Sequence, residues 1–355
     1  MGVIKVLMCG GRRIGKTSIM AAIQQNVQDN FPSGDIVLKM EQSNSLIMYR
    51  KEQEKLFGPE YEEMTFIADT VGTTERSDYM CRVYLKDKKS NLELRFTDIP
   101  GEWFIDQTHH DELIELIRES QVLVIAVDSP HLVEKGGRYH EVYNRAGILT
   151  EEIMKAFQGN KEQRMVLFAP LKCERYRNRN RMNELLREIK SGYADLITYL
   201  CESDMSHWYT VAVTPVVTMG GVEFLRFTKP VDANGQVICD ASGNELEAVS
   251  VNPATGYLEM NWPAEYLLLT DADGDHFYEP EDCDQPLIYI LLFLIAMGKR
   301  RKKGFMNFFH GIWAMLSGLP DQKILDACKE GLTARIKTDE EQGFAVLNDP
   351  EEMLS

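Results

Sequence analysis

The chain has 355 residues, 44% of them apolar and 26% charged, with a formal net charge of −16. That length and apolar content suffice for a sizeable core and suggest about two domains, while the acidic balance argues against nucleic-acid binding by the surface as a whole. Seven scattered cysteines without a C-x-x-C pair predict reduced thiols in a cytoplasmic protein, and direct entry into a first strand leaves no room for a signal peptide.

Taken in order, the apolar run Val3–Met8 predicts a strand. It leads into Gly10-Gly11-Arg12-Arg13-Ile14-Gly15-Lys16-Thr17, a match to G-x-x-x-x-G-K-[ST], and then into a helical segment from Ser18 to Ile23. Motif and context agree. Residues Gly10 to Ser18 are predicted to cradle phosphate oxygens with backbone N–H groups, Lys16 to reach the β- and γ-phosphates, and Thr17 to offer its hydroxyl to Mg²⁺. Ile19, Ile23 and Val27 continue one helical face until Asn30–Gly34 breaks it. Residues 35–72 are polar and read as a long lid or switch insertion, with Lys51–Lys55 on a solvated helix. Tyr79, Cys81, Val83 and Leu85 alternate, Lys86–Asn91 is a polar turn, and Leu92, Leu94 and Phe96 resume the period. This is a β-hairpin. It delivers the chain to Asp98-Ile99-Pro100-Gly101-Glu102, where Asp98 suits a carboxylate steadying Mg²⁺ and Gly101 offers an N–H to a γ-phosphate.

Leu113, Ile114, Leu116 and Ile117 return to helical spacing. Gln121–Asp128 and Met165–Pro170 are continuous apolar runs, as parallel strands covered on both faces require, and a helix is predicted from Thr150 to Phe157. Arg175, Arg177, Arg179 and Arg181 either face a nucleotide or acidic partner or, the favoured reading, start a solvated helix. Leu185, Leu186 and Ile189 mark the next helix, and Trp208–Thr214 is read as the last core strand. Residues 215–283 carry short strand-like runs such as Val222–Phe227 among Gly, Asn, Asp and Pro, and predict a β-rich insertion. Asp271–Asp275 reads as a solvated acidic turn, because its glycine falls too early for a calcium loop. Leu287–Met297 is apolar all round, short of the ~20 residues that span a bilayer, and is predicted to close the core as a buried helix within 284–298. In the extension 299–355, a basic run and an amphipathic helix over 299–316 are candidates for peripheral membrane or partner contact, weighed below simple packing on the core. The acidic tail from Thr338 to Ser355 is predicted to be mobile. The expected fold is α/β: a core over 1–214 with a mostly parallel sheet, one antiparallel hairpin strand and helices on both faces.

The loop Gly10–Thr17, the turn Asp98–Gly101 and the segment Leu171-Lys172-Cys173-Glu174 stand in the order and at the strand ends of a Ras-like, translation-factor-class P-loop GTPase. The chain also resembles the bacterial double-GTPase-type proteins of conflict and defence gene clusters. The resemblance implies that Lys16 and the loop amides hold the phosphates of GTP or GDP, Thr17 ligates Mg²⁺, Asp98 steadies it through water, and Thr74, or alternatively Thr73, supplies the switch ligand.

Three departures from the family pattern bear on function. The base-reading Asn-Lys-x-Asp becomes Leu171-Lys172-Cys173-Glu174: Glu174 can accept from guanine and the Lys172 stem can pack on the base, but Leu171 has no amide, so discrimination should weaken. Glu102 replaces the glutamine that orients water, and a carboxylate there needs a proton or a partner beside a γ-phosphate. His109 and His110 are its candidate substitutes, though adjacent histidines are more often surface residues. Arg12 and Arg13 either obstruct a partner's arginine or act in its place. The expected function is a Mg²⁺-dependent GTP-hydrolysing switch acting on a protein partner. A scaffold of little turnover and an ATP-using P-loop protein are the alternatives, and a homodimer stays open.

Overall fold

The computed structural model describes residues 3–30, 36–58, 64–67, 75–85, 91–229, 232, 234, 236–246, 249–251, 258–260, 264–300 and 322–354. Thr73, Thr74 and the amphipathic stretch 305–316 lie outside them.

An eight-stranded sheet forms the centre. Its parallel strands are β1 (Val3–Cys9), β5 (Asn91–Asp98), β6 (Val122–Asp128), β7 (Arg164–Leu171) and β8 (Tyr209–Val213). With the antiparallel strands β2 (Ile36–Met40), β4 (Ser77–Leu85) and β13 (Ala345–Asn348), the order is β13-β8-β7-β6-β1-β5-β4-β2. Every residue of β6 and β7 is buried, which is why both read as unbroken apolar runs. The hairpin β4–β5 pairs Tyr79 with Phe96 and Cys81 with Leu94.

Helices cover both faces. On one, α1 (Lys16–Asn30) and α10 (Gln285–Arg300) lie over the sheet, and α10 buries every residue from Leu287 to Met297. Its lack of a polar face follows from that position. On the other face pack α3 (His110–Glu119), α6 (Ala146–Phe157), α8 (Met182–Gly192) and α9 (Ala194–Glu202).

Two expectations need correcting. The tail is not mobile throughout: Phe344 and Ala345 are buried, and β13 pairs antiparallel with β8, so β8 is not the last strand. Asn348 Nδ2 anchors it by donating to the carbonyls of Ser206 at 2.8 Å and Tyr209 at 2.7 Å. The stretch 35–72 is also more than a lid, because β2 extends the central sheet by pairing with β4. After β2 the chain forms α2 (Asn44–Lys55) and β3 (Thr65–Ile67).

Strand β3 leaves the main sheet and pairs with β12 (Ala264–Leu268), which pairs in turn with β9 (Val222–Phe227). Val222, Phe224, Phe227, Tyr266 and Leu268 bury against Tyr139, with Leu56 and Phe57 at the end of α2 alongside. Three segments far apart in sequence therefore share one small apolar layer. Two arginines of the predicted basic run, within α7 (Glu174–Asn178) and just after it, fasten β9 of this layer: Arg175 donates to Phe224 O and Arg179 pairs with Glu223, while Arg177 pairs with Glu281 and Asp282 and Arg181 with Glu184. Those four arginines are engaged by partners within the chain.

Candidate functional site

The site lies at the carboxyl ends of the parallel strands. Between β1 and α1 the chain turns through Gly10 at φ 139° and Gly15 at φ 115°, with Arg13 at φ 60°. All three fall in the region that suits glycine. A Cβ on Gly10 would stand 2.9 Å from Ala126 O, so the loop runs tight against β6. Lys16 is buried, and its ammonium donates to Gly10 O at 3.0 Å and Gly11 O at 2.9 Å. It is thereby folded over the loop's own carbonyls. Burial lowers its pKa, opposed by Asp98, Cys9 and Glu102.

Thr17 donates through Oγ1 to Asp98 Oδ2 at 2.8 Å. Asp98 is fully buried and its other oxygen, Oδ1, has no hydrogen-bond partner. An orphaned carboxylate oxygen is costly to bury, and burial raises the Asp98 pKa against the pull of Lys16 and Thr17. A hard divalent cation beside this hydroxyl–carboxylate pair would satisfy that oxygen, and Mg²⁺ takes such partial oxygen sites when phosphates and water complete its shell. Among the described residues no cluster of three or more His, Cys, Asp or Glu offers an all-protein metal cage.

Gly101, three residues past Asp98, rests on the loop itself. A Cβ there would run into the backbone of Gly11 and Arg12, 2.7 Å from Arg12 Cα. Glu102 follows, and its Oε1 pairs with Arg12 Nε at 2.9 Å. The residue standing where a water-orienting glutamine is expected thus meets an arginine of the phosphate loop. His109 stacks on Trp103, with ring centroids 4.4 Å apart, and His110 faces Lys155 and Glu152 of α6. Both histidines have surface partners of their own.

At the end of β7, Leu171 approaches Gly15: a Cβ on that glycine would lie 3.1 Å from Leu171 Cδ1. An apolar contact stands where the family motif has an amide. Lys172, at φ 55°, reaches back to donate to Arg13 O at 3.1 Å. Glu174 is buried, with Oε2 unpartnered, and hydrogen bonds from the backbone of Met219 and Gly220 favour its ionised form. Burial outweighs them and lifts its pKa to about 7.

Several neighbours of this site escaped sequence reading. Asp128, His131 and Tyr143 crowd beneath Lys172, and Tyr49 of α2 bonds Ser18 at 2.8 Å between hydroxyl oxygens. Only Asp128 carried a signal, as the charged end of a fully buried strand. Asp271 behaves as predicted for a turn: its Oδ1 accepts the N–H groups of Asp273 and Asp275. Asp232 and Asp240 repeat that pattern, so each aspartate holds its own loop.

No helix among the described residues is long and apolar enough to cross a membrane. No curated protein matches the chain. Among solved structures it is similar to the signal recognition particle receptor SRb-GTP/SRX complex from Chaetomium thermophilum, at 16% identity over 62% of this chain and 93% of that one, TM-score 0.36. It is also similar to the S. cerevisiae Ski7 GTPase-like domain bound to GTP, at 13% identity over 61% of this chain and 43% of that one, TM-score 0.37. The Double-GTPase 2 profile matches residues 5–204, more than half of the chain and all of the loop, turn and β7 end described above. The chain belongs to the Double-GTPase 2 family.

Proposed function

We propose that the protein is a Mg²⁺-dependent guanine-nucleotide switch that hydrolyses GTP and acts on a protein partner, in a bacterial conflict or defence system. The observation that carries this reading is the contact of Thr17 with Asp98, whose second oxygen is orphaned, beside a buried Lys16 held on loop carbonyls. Burial disfavours the charge on both Lys16 and Asp98. A phosphate anion near the first and a cation near the second would each reverse that penalty.

In this mechanism the ammonium of Lys16 turns from Gly10 O and Gly11 O to the β- and γ-phosphates, while the amides from Gly11 to Ser18 bind phosphate oxygens. Thr17 would ligate Mg²⁺ and Asp98 would steady it through water, and the ion would supply positive charge against the phosphates. Gly101 offers its N–H to the γ-phosphate. Glu102 and Arg12 neutralise one another, which answers the repulsion a lone carboxylate would meet there, and Arg12 can turn toward the transferred phosphoryl group as an arginine supplied in cis. Lys172 and Glu174 read the base. Pairing of β3 with β12, and packing of Leu56 and Phe57 on the same layer, supports action on a partner, since both belong to the stretch between the phosphate loop and β4 and a change there on nucleotide binding would reach the layer.

The pairing of Glu102 with Arg12 also favours a second reading, a scaffold of low turnover, because it engages two of the candidate catalytic groups with one another. Phosphate release at saturating GTP decides between them. The switch reading expects Mg²⁺-dependent release that Thr17→Asn and Asp98→Asn both abolish. Release that is unaffected by either change, or by chelation, would contradict the metal site.

A further inference from the structure

Beneath the base-reading segment, Lys172 joins a buried charge cluster whose other members, Asp128 and His131, the mechanism above does not use. Asp128, fully buried at the end of β6, accepts from Lys172 Nζ on Oδ2 at 2.6 Å. Its Oδ1 accepts from His131 N at 3.0 Å and lies 2.5 Å from His131 Nδ1. The backbone of Asp128 is fixed too, since its N–H donates to Asn144 Oδ1 at 2.7 Å. Burial opposes the charge on Asp128, yet His131 and Lys172 prevail and hold its carboxyl well below the usual carboxylate range. Burial likewise opposes the charge on Lys172, and Asp128 prevails, raising that pKa.

The same Lys172 ammonium donates to Arg13 O in the middle of the phosphate loop. Arg13 at φ 60° and Lys172 at φ 55° both occupy left-handed backbone that non-glycine residues avoid. Two such residues facing one another need something to over-determine them, and a bond from an anchored cation does so. The peptide after Arg13 is planar and trans, so holding its carbonyl toward Lys172 directs the N–H of Ile14 the opposite way.

We propose that Asp128 is a positioning residue for nucleotide binding: it anchors Lys172 on the Arg13 carbonyl and so sets the direction of the phosphate-loop amides without itself touching nucleotide. This rests on the nucleotide-binding reading above. The alternative is that Asp128 merely neutralises a buried lysine and supports the fold.

Titration of GDP and GTP into the native chain, Asp128→Asn, Lys172→Met and the double variant separates the two. The proposal expects Asp128→Asn to weaken both nucleotides together, by about tenfold or more, because a displaced loop serves neither. In the Lys172→Met background the same change should add less than about twofold, since its route is already cut. Native-like affinity in Asp128→Asn, or an equal loss in both backgrounds, would overturn it. Where Asp128→Asn fails to fold, Asp128→Leu with Lys172→Met removes both charges at once, which buried pairs tolerate better than loss of one partner. That double variant should bind GDP as Lys172→Met alone does, and weaker binding would refute the route through Lys172. A native chain that binds neither nucleotide would overturn this proposal and the nucleotide reading together, and the unmodified chain alone reveals that outcome.

Discussion

Replacing Gly101 by alanine tests the contact between the acidic turn and the phosphate loop. The added Cβ would stand 2.7 Å from Arg12 Cα and closer still to other backbone atoms of Gly11 and Arg12. Carbon atoms rest at roughly 3.5–4.0 Å, so the turn must retreat by about 1 Å, and no flexible side chain is available to absorb the overlap. The same retreat pulls Glu102 from Arg12, now 2.9 Å away. A misplacement of about 1 Å at a reacting centre costs on the order of 10²-fold in rate, equivalent to about 2.7 kcal/mol of barrier. The core strands do not move, so GDP affinity and melting temperature should stay near native while phosphate release at saturating GTP falls about 10²-fold. Native-like release from a folded Gly101→Ala protein would refute the role given to this contact.

Further outcomes follow from named groups. Arg12→Ala should slow GTP turnover by about 10³-fold or more if Arg12 is the cis arginine, with GDP affinity retained, and an unchanged rate removes it from the mechanism. The Glu174 carboxyl, raised from 4.5 to about 7 by burial, stabilises the fold fully below pH 4.5. That contribution, about 3 kcal/mol, is lost as pH rises through about 7. Guanine requires the ionised form, so GTP affinity should climb from pH 6 to 8 with proton release, seen by calorimetry in buffers of different ionisation heat, and Glu174→Gln should flatten the profile. Asn348→Ala strips a donor from the carbonyls of Ser206 and Tyr209 and should cost about 1–3 kcal/mol in urea unfolding, whereas a tail irrelevant to the core would show no change.

The sequence made the centre of the fold readable wherever the determinant was local. Continuous burial forces an unbroken apolar run on β6 and β7, and the glycines of the phosphate loop must occupy fixed places relative to Lys16. Edge strands were harder. Ile36, Leu38 and Met40 do alternate toward the core, but five residues inside a polar region are a weak signal. The four residues of β13 are set largely by what Asn348 reaches, more than 130 positions away. Partnership of β3 with β12 joins segments about 200 residues apart, and no periodicity records that.

At the candidate site the split is similar. Lys16, Thr17, Asp98 and Gly101 were legible because motif spacing places them. The carboxylate at Glu102 was legible too, but its pairing with Arg12 depends on how two loops meet. Asp128 gave a faint signal, while His131 and Tyr143 gave none, since their roles arise where α4 (Ser129–Val133) and α5 (His140–Asn144) fold back toward the loop.

The central claim is that this loop binds guanine nucleotide, and calorimetry of GTP and ATP with Mg²⁺, with Lys16→Ala as control, tests it most directly. The account predicts that GTP binds in preference to ATP and that Lys16→Ala loses the binding. Equal or ATP-selective binding would contradict the role given to Glu174, and binding that survives Lys16→Ala would contradict the site itself.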